Sequence, residues 1–340
     1  MKKKTLLVIV FLSAAAFAKC EKPRMCGKTS IDREVQNALR DALVRYADTN
    51  DTGRAWGVVM DARNGAVRGI ADTGFASEST DGVECVCHEP GSVLKPFVAA
   101  IALDCGIAEI GTKYSTARDD KRYGNLPSDG GHAWPDEMTV GDALVKSSNV
   151  VFGKLACDIG RDRVYRGLRS FGFGGKSQSE CVGGNACALS GCPKHPWDNA
   201  TMSRIGIGEG VAVTALQLAR AYAILANDGV DVVGSNRVVG VGTAKAICRT
   251  LERVASKEGT ARRAAVEGVR VAGKTGTTRR FAGEGCADGR YLATFAGFFP
   301  VDDPKYVIVT TFETKMSDGS MHQGGYRSAL AFAEIVKRMK

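Results

Sequence analysis

The chain has 340 residues, more than one compact core usually serves, so its length predicts two lobes. Its formal net charge is +9, but the basic residues are scattered among acidic ones, with no Lys/Arg tract and no aromatic interleaving, so nucleic-acid binding is not expected. Beyond the N-terminus no apolar run approaches transmembrane length, which argues against further membrane-spanning helices.

The N-terminal residues 1–18 have the layout of a secretory signal peptide. Lys2–Lys4 form a basic start, Leu6–Phe17 an apolar run, and a small-x-small cleavage site follows. The run is shorter than the ~20 apolar residues of a bilayer span, and an uncleaved anchor is the alternative. Lipidation at Cys20 is a second alternative, for which the preceding lysine is a poor fit. We therefore predict export, with a linker over residues 19–28.

The eleven cysteines of this exported chain predict disulfides. Those expected to fasten loops are Cys85, Cys87, Cys181, Cys187 and Cys192. The competing hypothesis for them is a zinc site, either at Cys85, Cys87 and His88 or at Cys187, Cys192 and His195. No pair has the Cys-x-x-Cys spacing common in structural zinc sites, so disulfides are favoured and neither metal nor cofactor is expected. Three cysteines in apolar helical patterns are expected to be buried free thiols: Cys105, Cys157 and Cys248.

The N-terminal elements are a helix and a hairpin. Asp32 can cap a helix that continues to about Asp48. "WGVVMDARNGAVRGIAD" then predicts two strands joined at Asn64-Gly65. From about Thr73 the chain has mostly helical patterns, with insertion loops expected at residues 113–136 and 174–198.

Two helices of the middle region carry capping-box patterns, Thr139 with Asp142 and Thr214 with Gln217. After about Val266 the chain returns to strands, in "GVRVAGKTGT", "YLATFAGFFP" and "YVIVTTFET", followed by a closing helix. The sequence therefore predicts an α+β fold. One antiparallel sheet of about five strands is built from both ends of the chain (residues 29–75 and 265–340) and flanked by helices. A mainly helical lobe (residues 76–264) faces it across a cleft, where ligand sites tend to form.

A first chemical motif lies in "HEPGSVLKPF". A helix that begins at Ser92 places Lys95 on the same face, one turn later, and Pro96 fits the first turn of such a helix. Ser92 is then either a helix N-cap or a nucleophile whose base is Lys95. A lysine can act as a base only if burial or a neighbouring cation lowers its pKa.

Two later stretches could complete a site. "KSSNV" offers Ser147 and Asn149 at a helix end, and "GKTGTT" offers Lys274, Thr275 and Thr277 on a predicted strand, where Gly276 leaves room for a substrate backbone. Taken singly, each stretch has a structural explanation as a cap, a surface lysine or an edge strand. Together and in this order they form the Ser-x-x-Lys, Ser-x-Asn and Lys-Thr-Gly set of penicillin-binding proteins and serine β-lactamases.

The chain resembles the transpeptidase domain of class B penicillin-binding proteins, the monofunctional enzymes that cross-link peptidoglycan. The resemblance covers about residue 30 to the C-terminus and includes "EPGSVLKPF", "TVGDALVKSSNVVFGKLA", "GEGVAVTALQLARAYAILANDG" and "ATFAGFFPVDDPKYVIVTTFE". It implies one penicillin-binding domain over residues 29–340. The "RIGIGEG" stretch does not match a dinucleotide fingerprint, and loop flexibility is expected to explain its glycines.

The resemblance also implies roles in acyl transfer. Ser92 attacks the carbonyl between the two terminal D-alanines of a stem peptide, and Lys95 accepts its proton. Ser147 relays a proton to the leaving amine. Asn149 positions the substrate amide. An amine of a neighbouring stem then attacks the resulting ester.

The third motif is expected to bind the substrate. Lys274 supplies positive charge near Ser147, and the Thr275 and Thr277 hydroxyls bind the terminal carboxylate beside Gly276. The backbone N–H groups of Ser92 and Thr277 form the oxyanion hole. Implied partners are peptidoglycan stem peptides, β-lactams and proteins of the division or elongation machinery. The implied location is the periplasm or cell envelope, with tethering to the cytoplasmic membrane as the alternative.

Several alternatives stay open at this point. Class B members normally carry an N-terminal pedestal domain, whereas only ten residues separate the predicted signal peptide from the catalytic domain, so a carboxypeptidase or accessory enzyme is possible. A β-lactamase is disfavoured because no Glu-x-x-Leu-Asn element lies between the second and third motifs, and because the second motif is not Ser-x-Val. A penicillin sensor that is acylated without turnover is the non-enzymatic alternative.

Overall fold

The computed structural model describes residues 30–47, 53–74, 83, 86–174, 198–282, 286–315 and 324–340. The predicted signal peptide and linker lie outside these ranges, as do most of the cysteines expected to fasten loops: Cys85, Cys181, Cys187 and Cys192. Among the helices within the ranges, none combines the length and apolar character needed to cross a membrane.

A five-stranded antiparallel sheet joins the two ends of the chain, in the order β2-β1-β7-β6-β5. Its strands are β1 Ala55–Asp61, β2 Val67–Asp72, β5 Ala272–Ala282, β6 Cys286–Phe299 and β7 Tyr306–Lys315. The N-terminal hairpin therefore pairs with the C-terminal strands through β1 and β7, where Val58 lies opposite Val309. The predicted α+β fold, with one sheet from both chain ends, is confirmed.

Two terminal helices cover this sheet. They are α1 (Arg33–Tyr46) and α9 (Gly324–Met339), which pack against each other and against the strands. Asp32 caps α1 as predicted, because its side chain accepts hydrogen bonds from the backbone N–H groups of Glu34 and Val35. The helix ends two residues earlier than expected.

The middle of the chain is mostly helical. Its helices are α2 Lys95–Asp104, α3 Val140–Lys146, α4 Asn149–Ile159, α5 Arg161–Ser170, α6 Asn199–Ile205, α7 Ala215–Ala226 and α8 Val241–Val254. A two-stranded sheet, β3 Lys113–Ser115 with β4 Glu137–Thr139, brackets the predicted insertion at 113–136. Helix α7 packs against β1, β6 and β7, so it joins the helical region to the sheet.

Helix α2 lies at the centre of the helical region, with eight of its ten residues buried. The Phe97 ring contacts the rings of Phe171, Phe173 and Tyr222 at centroid distances of 5.0 to 5.2 Å. Aromatic pairs of this kind add to the burial free energy and restrict rotation of the packed helices. The residues at the start of α2 are thereby held in a rigid frame.

Some local predictions need correction. The predicted capping box of Thr214 and Gln217 forms. The one predicted at α3 does not, because the Asp142 carboxylate accepts from the Thr139 hydroxyl and not from the Thr139 backbone N–H. Thr139 is also the last residue of β4. Cys105 is exposed rather than buried, because α2 ends at Asp104. The other two thiols, Cys157 and Cys248, are free and partly buried.

Candidate active site

Ser92 lies in a short 3-10 turn, Gly91–Leu94, which continues directly into α2. The alternative in which Ser92 is a helix N-cap is wrong: Pro90 precedes the turn, and no side-chain hydrogen bond caps it. Gly91 has φ +58°, and a Cβ on it would lie 2.7 Å from the Thr278 side chain. A glycine is therefore required to turn the chain into the helix, and Ser92 is presented from within the first turn.

The glycine-rich loop after α6 packs against this turn. The Gly91 N–H donates to the Gly208 carbonyl at 3.1 Å, and the Gly210 N–H donates to Glu89 Oε1 at 2.7 Å. Gly208 has φ +83°, and a Cβ there would lie 2.0 Å from the Gly91 oxygen. Close backbone packing, not flexibility, explains these glycines, which corrects the expectation from the sequence.

Lys95 is fully buried one turn after Ser92. Its Nζ donates to the Ser147 carbonyl at 2.6 Å, to Ser147 Oγ at 3.2 Å and to Asn149 Oδ1 at 2.7 Å. Burial, and then the charge of Lys274, hold the pKa of Lys95 well below its usual value. These are the two conditions under which a lysine can serve as a base.

Ser147 lies between two lysines. It ends α3 in the left-handed conformation, with φ 64°, which is uncommon for a residue with a Cβ. Its hydroxyl accepts from Lys274 Nζ at 2.9 Å and lies 3.2 Å from Lys95 Nζ. Lys274 is fully buried, donates also to the Thr275 carbonyl, and has its pKa lowered by burial to about 7.

Asn149 is held by the loop before α3. Its Nδ2 donates to the Ser128 carbonyl at 2.7 Å, and its backbone N–H donates to Asp129 Oδ1. The Asp129 carboxylate also accepts from the Ser148 hydroxyl and from the Val150 N–H, so it satisfies donors at the N-terminus of α4. Sequence reasoning missed Asp129, whose only local signal was an acidic residue in a Gly-rich turn.

Strand β5 forms the opposite side of the site. A Cβ at Gly276 would lie 2.6 Å from the Pro90 oxygen, so a glycine is needed there for the strand to approach the turn that carries Ser92. Thr275 and Thr277 are partly exposed. The Thr275 hydroxyl is 3.2 Å from the hydroxyl of Thr260, which lies in the loop after α8.

The predicted site residues meet at a cleft of about 1210 Å³. Its walls include Ser92, Ser147, Asn149, Thr275, Gly276 and Thr277. Lys95 and Lys274 lie behind these walls and reach the Ser147 hydroxyl. All eight residues therefore belong to one site. They come from segments up to 185 positions apart, from Ser92 to Thr277.

The zinc hypothesis falls mostly on residues outside the described ranges. Cys87 is disulfide-bonded, so its sulfur is not a free ligand. The His88 ring is buried against Trp56, and its Nε2 lies 3.3 Å from the Thr294 hydroxyl. Over the part of the chain that the structure describes, no three His, Cys, Asp or Glu side chains are grouped so as to hold a metal ion.

Comparisons with known proteins point to one family. Residues 55–337 match the family model of the penicillin binding protein transpeptidase domain. The probable peptidoglycan D,D-transpeptidase PenA of Neisseria meningitidis serogroup A is 30% identical over 328 residues, covering 90% of this chain and 55% of that protein. The peptidoglycan D,D-transpeptidase FtsI of Escherichia coli is 28% identical over 333 residues, covering 90% and 54%. The chain thus spans about half the length of the curated relatives it matches.

A solved structure has the same fold. The apo transpeptidase domain of penicillin-binding protein 3 from Burkholderia pseudomallei has a TM-score of 0.74 and 27% identity, and the match covers 92% of this chain and 95% of that one. The matched family model extends over most of the chain and includes all three motifs. The chain therefore belongs to the penicillin-binding protein transpeptidase domain family.

Proposed function

We propose that the chain is a serine D,D-transpeptidase that acts on the D-Ala-D-Ala terminus of peptidoglycan stem peptides and is acylated by β-lactams. The observation that carries this proposal is the Ser147 hydroxyl, which lies within 3.2 Å of two fully buried lysine nitrogens at the cleft that holds Ser92. Burial lowers the pKa of both lysines, and such shifts are typical of catalytic sites. The relatives PenA and FtsI, both named as peptidoglycan D,D-transpeptidases, support the same activity.

The hydrogen bonds of Lys95 suit a general base. The Ser147 carbonyl and Asn149 Oδ1 only accept, so they satisfy both N–H bonds of a neutral amine and leave its lone pair for a hydroxyl proton. In this structure the Lys95 nitrogen lies within 3.2 Å of oxygens of Ser147 and Asn149. In the first step the Ser92 proton passes to Lys95 while Ser92 Oγ bonds to the carbonyl carbon.

Ser147 then serves the leaving group. The protonated Lys95 returns its proton through Ser147 Oγ to the amine of the departing D-alanine, and the carbon–nitrogen bond breaks. The Lys274 ammonium, 2.9 Å from that hydroxyl, favours donation of the hydroxyl proton away from itself. An acyl-enzyme on Ser92 is left, which an incoming amine cleaves by the reverse sequence of proton transfers.

The substrate carboxylate is assigned to the Thr275 and Thr277 hydroxyls, close to the positive charge of Lys274. The backbone N–H groups of Ser92 and Thr277 are assigned to the oxyanion, where one donor is typically worth ~3–4 kcal/mol of transition-state stabilisation. Neither assignment needs a metal or a cofactor. The sheet lobe and the helical lobe each supply part of the site, so we treat residues 29–340 as one catalytic domain.

We place this activity in the cell envelope, as the predicted signal peptide and the disulfide at Cys87 support. Proteins of the division or elongation machinery are the proposed partners.

Labelling with fluorescent penicillin tests the central assignment. Wild-type protein is expected to form a stable covalent adduct, and Ser92→Ala none, with intact mass and circular dichroism showing that the variant is folded. A labelled Ser92→Ala protein contradicts the assignment of the nucleophile.

Turnover of a synthetic D-Ala-D-Ala peptide separates the alternatives. We expect release of D-alanine together with transfer of the acyl group to an added amine. Release without transfer indicates a carboxypeptidase, and labelling without release indicates a sensor. Rapid hydrolysis of a chromogenic cephalosporin identifies a β-lactamase and refutes the transpeptidase.

A further inference from the structure

The cleft is positively charged along one edge. Among its described lining residues, five are basic and two are acidic. Both acidic side chains already have partners. Asp129 accepts hydrogen bonds at the N-terminus of α4, and Glu258 forms an ion pair with Arg253 at 3.2 Å. The cations are Lys146, Lys257, Arg262, Arg263 and Arg327.

Three of these cations, Lys257, Arg262 and Arg263, belong to the loop after α8, and we call them the basic edge. All three are exposed, and the side chains of Lys257 and Arg262 form no hydrogen bond or ion pair with any residue that the structure describes. The Arg263 guanidinium lies 3.7 Å from the centroid of the Tyr326 ring, which holds it in place at the start of α9.

The loop that carries the basic edge is fixed relative to the catalytic residues. Lys146, the residue before Ser147, donates to the Glu258 carbonyl at 2.9 Å. The Thr260 hydroxyl is 3.2 Å from the Thr275 hydroxyl. The basic edge is therefore adjacent to the threonines assigned to the terminal carboxylate of the donor peptide, at the end of the cleft where the leaving D-alanine lies.

The position of the basic edge at the leaving-group end of the cleft indicates which molecule it contacts. The acceptor amine must occupy the place of the departing amine, because attack on the ester is the reverse of departure. Its chain then continues past Thr275 and Thr260. Two cations in that direction, Lys257 and Arg262, whose side chains have no partner among the described residues, fit an acceptor that is itself anionic.

We propose that the basic edge is an acceptor subsite that binds a carboxylate of the incoming stem peptide, separate from any carboxylate on the amine-bearing carbon. This inference rests on the proposed function. In the step concerned, the acceptor nitrogen bonds to the acyl carbon and the bond from that carbon to Ser92 Oγ breaks. The proton of the amine passes through Ser147 and Lys95 to Ser92 Oγ. The basic edge contributes binding and orientation only.

The test measures partition of the acyl-enzyme between water and an acceptor. A D-Ala-D-Ala donor is incubated with increasing concentrations of one of two acceptors. The first is the tripeptide L-Ala-γ-D-Glu-diaminopimelate. The second is the same tripeptide with every carboxylate converted to an amide, except the one beside the reacting amine. For the wild type we expect half-maximal transfer at about tenfold lower concentration of the free carboxylate form, equivalent to ~1.4 kcal/mol. This preference should weaken as ionic strength increases.

Substitutions locate the effect. Lys257→Gln and Arg262→Gln should each reduce the preference for the free carboxylate form about threefold, because an exposed ion pair typically contributes that much to binding. The double variant should abolish the preference. The ratio of the two acceptors within one variant cancels general damage to the site. Arg249→Gln is the matched control, because Arg249 on α8 is exposed, has no side-chain partner within the described ranges and does not line the cleft. It should leave the preference unchanged.

The outcomes separate this inference from the proposed function. Transfer to both acceptors with equal efficiency in the wild type, or a preference that survives in the double variant, overturns the acceptor subsite while leaving the transpeptidase intact. Release of D-alanine with no transfer to either acceptor indicates a carboxypeptidase, which overturns both the acceptor subsite and the transpeptidase. Absence of any acylation refutes the proposed function itself.

Discussion

Replacing Lys274 with methionine should stabilise the protein and abolish its acylation by penicillin. Burial lowers the pKa of Lys274 from 10.5 to about 7. That change corresponds to about 5 kcal/mol by which the folded state disfavours the charged form. Methionine has a similar length and no charge. Loss of two hydrogen bonds, to Ser147 and Thr275, costs about 1 kcal/mol each, so we expect a net gain of about 3 kcal/mol at pH 7 or below.

The gain should depend on pH in a defined direction. Below about pH 7 Lys274 is protonated in both states, and the folded wild type carries the full cost of burying the charge. Between pH 7 and 10.5 the folded amine is neutral while the unfolded amine still binds a proton, so wild-type stability rises with pH. The advantage of Lys274→Met should therefore shrink steadily across that window.

Urea denaturation at pH 6, 7, 8 and 9 measures both quantities, and fluorescent-penicillin labelling of the same samples measures acylation. Lys305→Met is the control, because Lys305 is exposed and its side chain has no partner among the described residues. It should follow the wild type at every pH. If Lys274→Met is less stable than the wild type at pH 6, or if its advantage does not change with pH, the reasoning about buried charge is refuted.

Three further variants test how the site is held together. Asp129→Ala should cost about 1–2 kcal/mol of stability, because the donors at the N-terminus of α4 lose their acceptor. It should also slow acylation by penicillin about tenfold, because Asn149 is released. Unchanged acylation in stopped-flow measurements contradicts a positioning role. Gly208→Ala should lower the free energy of unfolding by ~3 kcal/mol or more and abolish labelling, because the added Cβ would lie 2.0 Å from a carbonyl oxygen. Gly106→Ala is its control, since Gly106 also has positive φ but open space around it, and only the ~1 kcal/mol backbone cost is expected. Gly276→Ala should cost about 1–3 kcal/mol and reduce acylation in the same assays, and an unaffected variant argues against close packing of β5 on the nucleophile turn.

The sheet could be predicted from the sequence because its signals are local. The short β-rich runs, the Asn64-Gly65 turn and the cap at Asp32 each depend on a few neighbouring residues. The pairing of β1 with β7 followed once a hairpin and three strands had to share one sheet. Spacing also predicted that Lys95 lies one turn after Ser92.

The features that were missed depend on contacts between distant segments. Asp129 bonds to the N-terminus of α4 from an irregular loop 20 residues earlier, and no periodicity relates the two. The helical turn begins at Gly91 rather than being capped by Ser92, since Gly208 and Thr278 contact the chain at that point. Cys105 was expected to be buried, but α2 ends one residue before it.

The arrangement around Ser147 explains why so many close backbone contacts are needed in one place. If both amines near this hydroxyl were charged they would repel each other, since nitrogens at 3.2 and 2.9 Å from it are at most about 6.1 Å apart, the sum of the two distances. At an effective dielectric constant of about 20 this repulsion is roughly 3 kcal/mol. The segments that carry the amines would separate unless other contacts opposed this. Those contacts are the rigid aromatic cluster under α2, the approach of β5 to the nucleophile turn at Gly276, and the packing of Gly208 on Gly91. Burial, and after it the charge of Lys274, keep the pKa of Lys95 low, so the same packing that holds the lobes together maintains a lysine able to accept a proton.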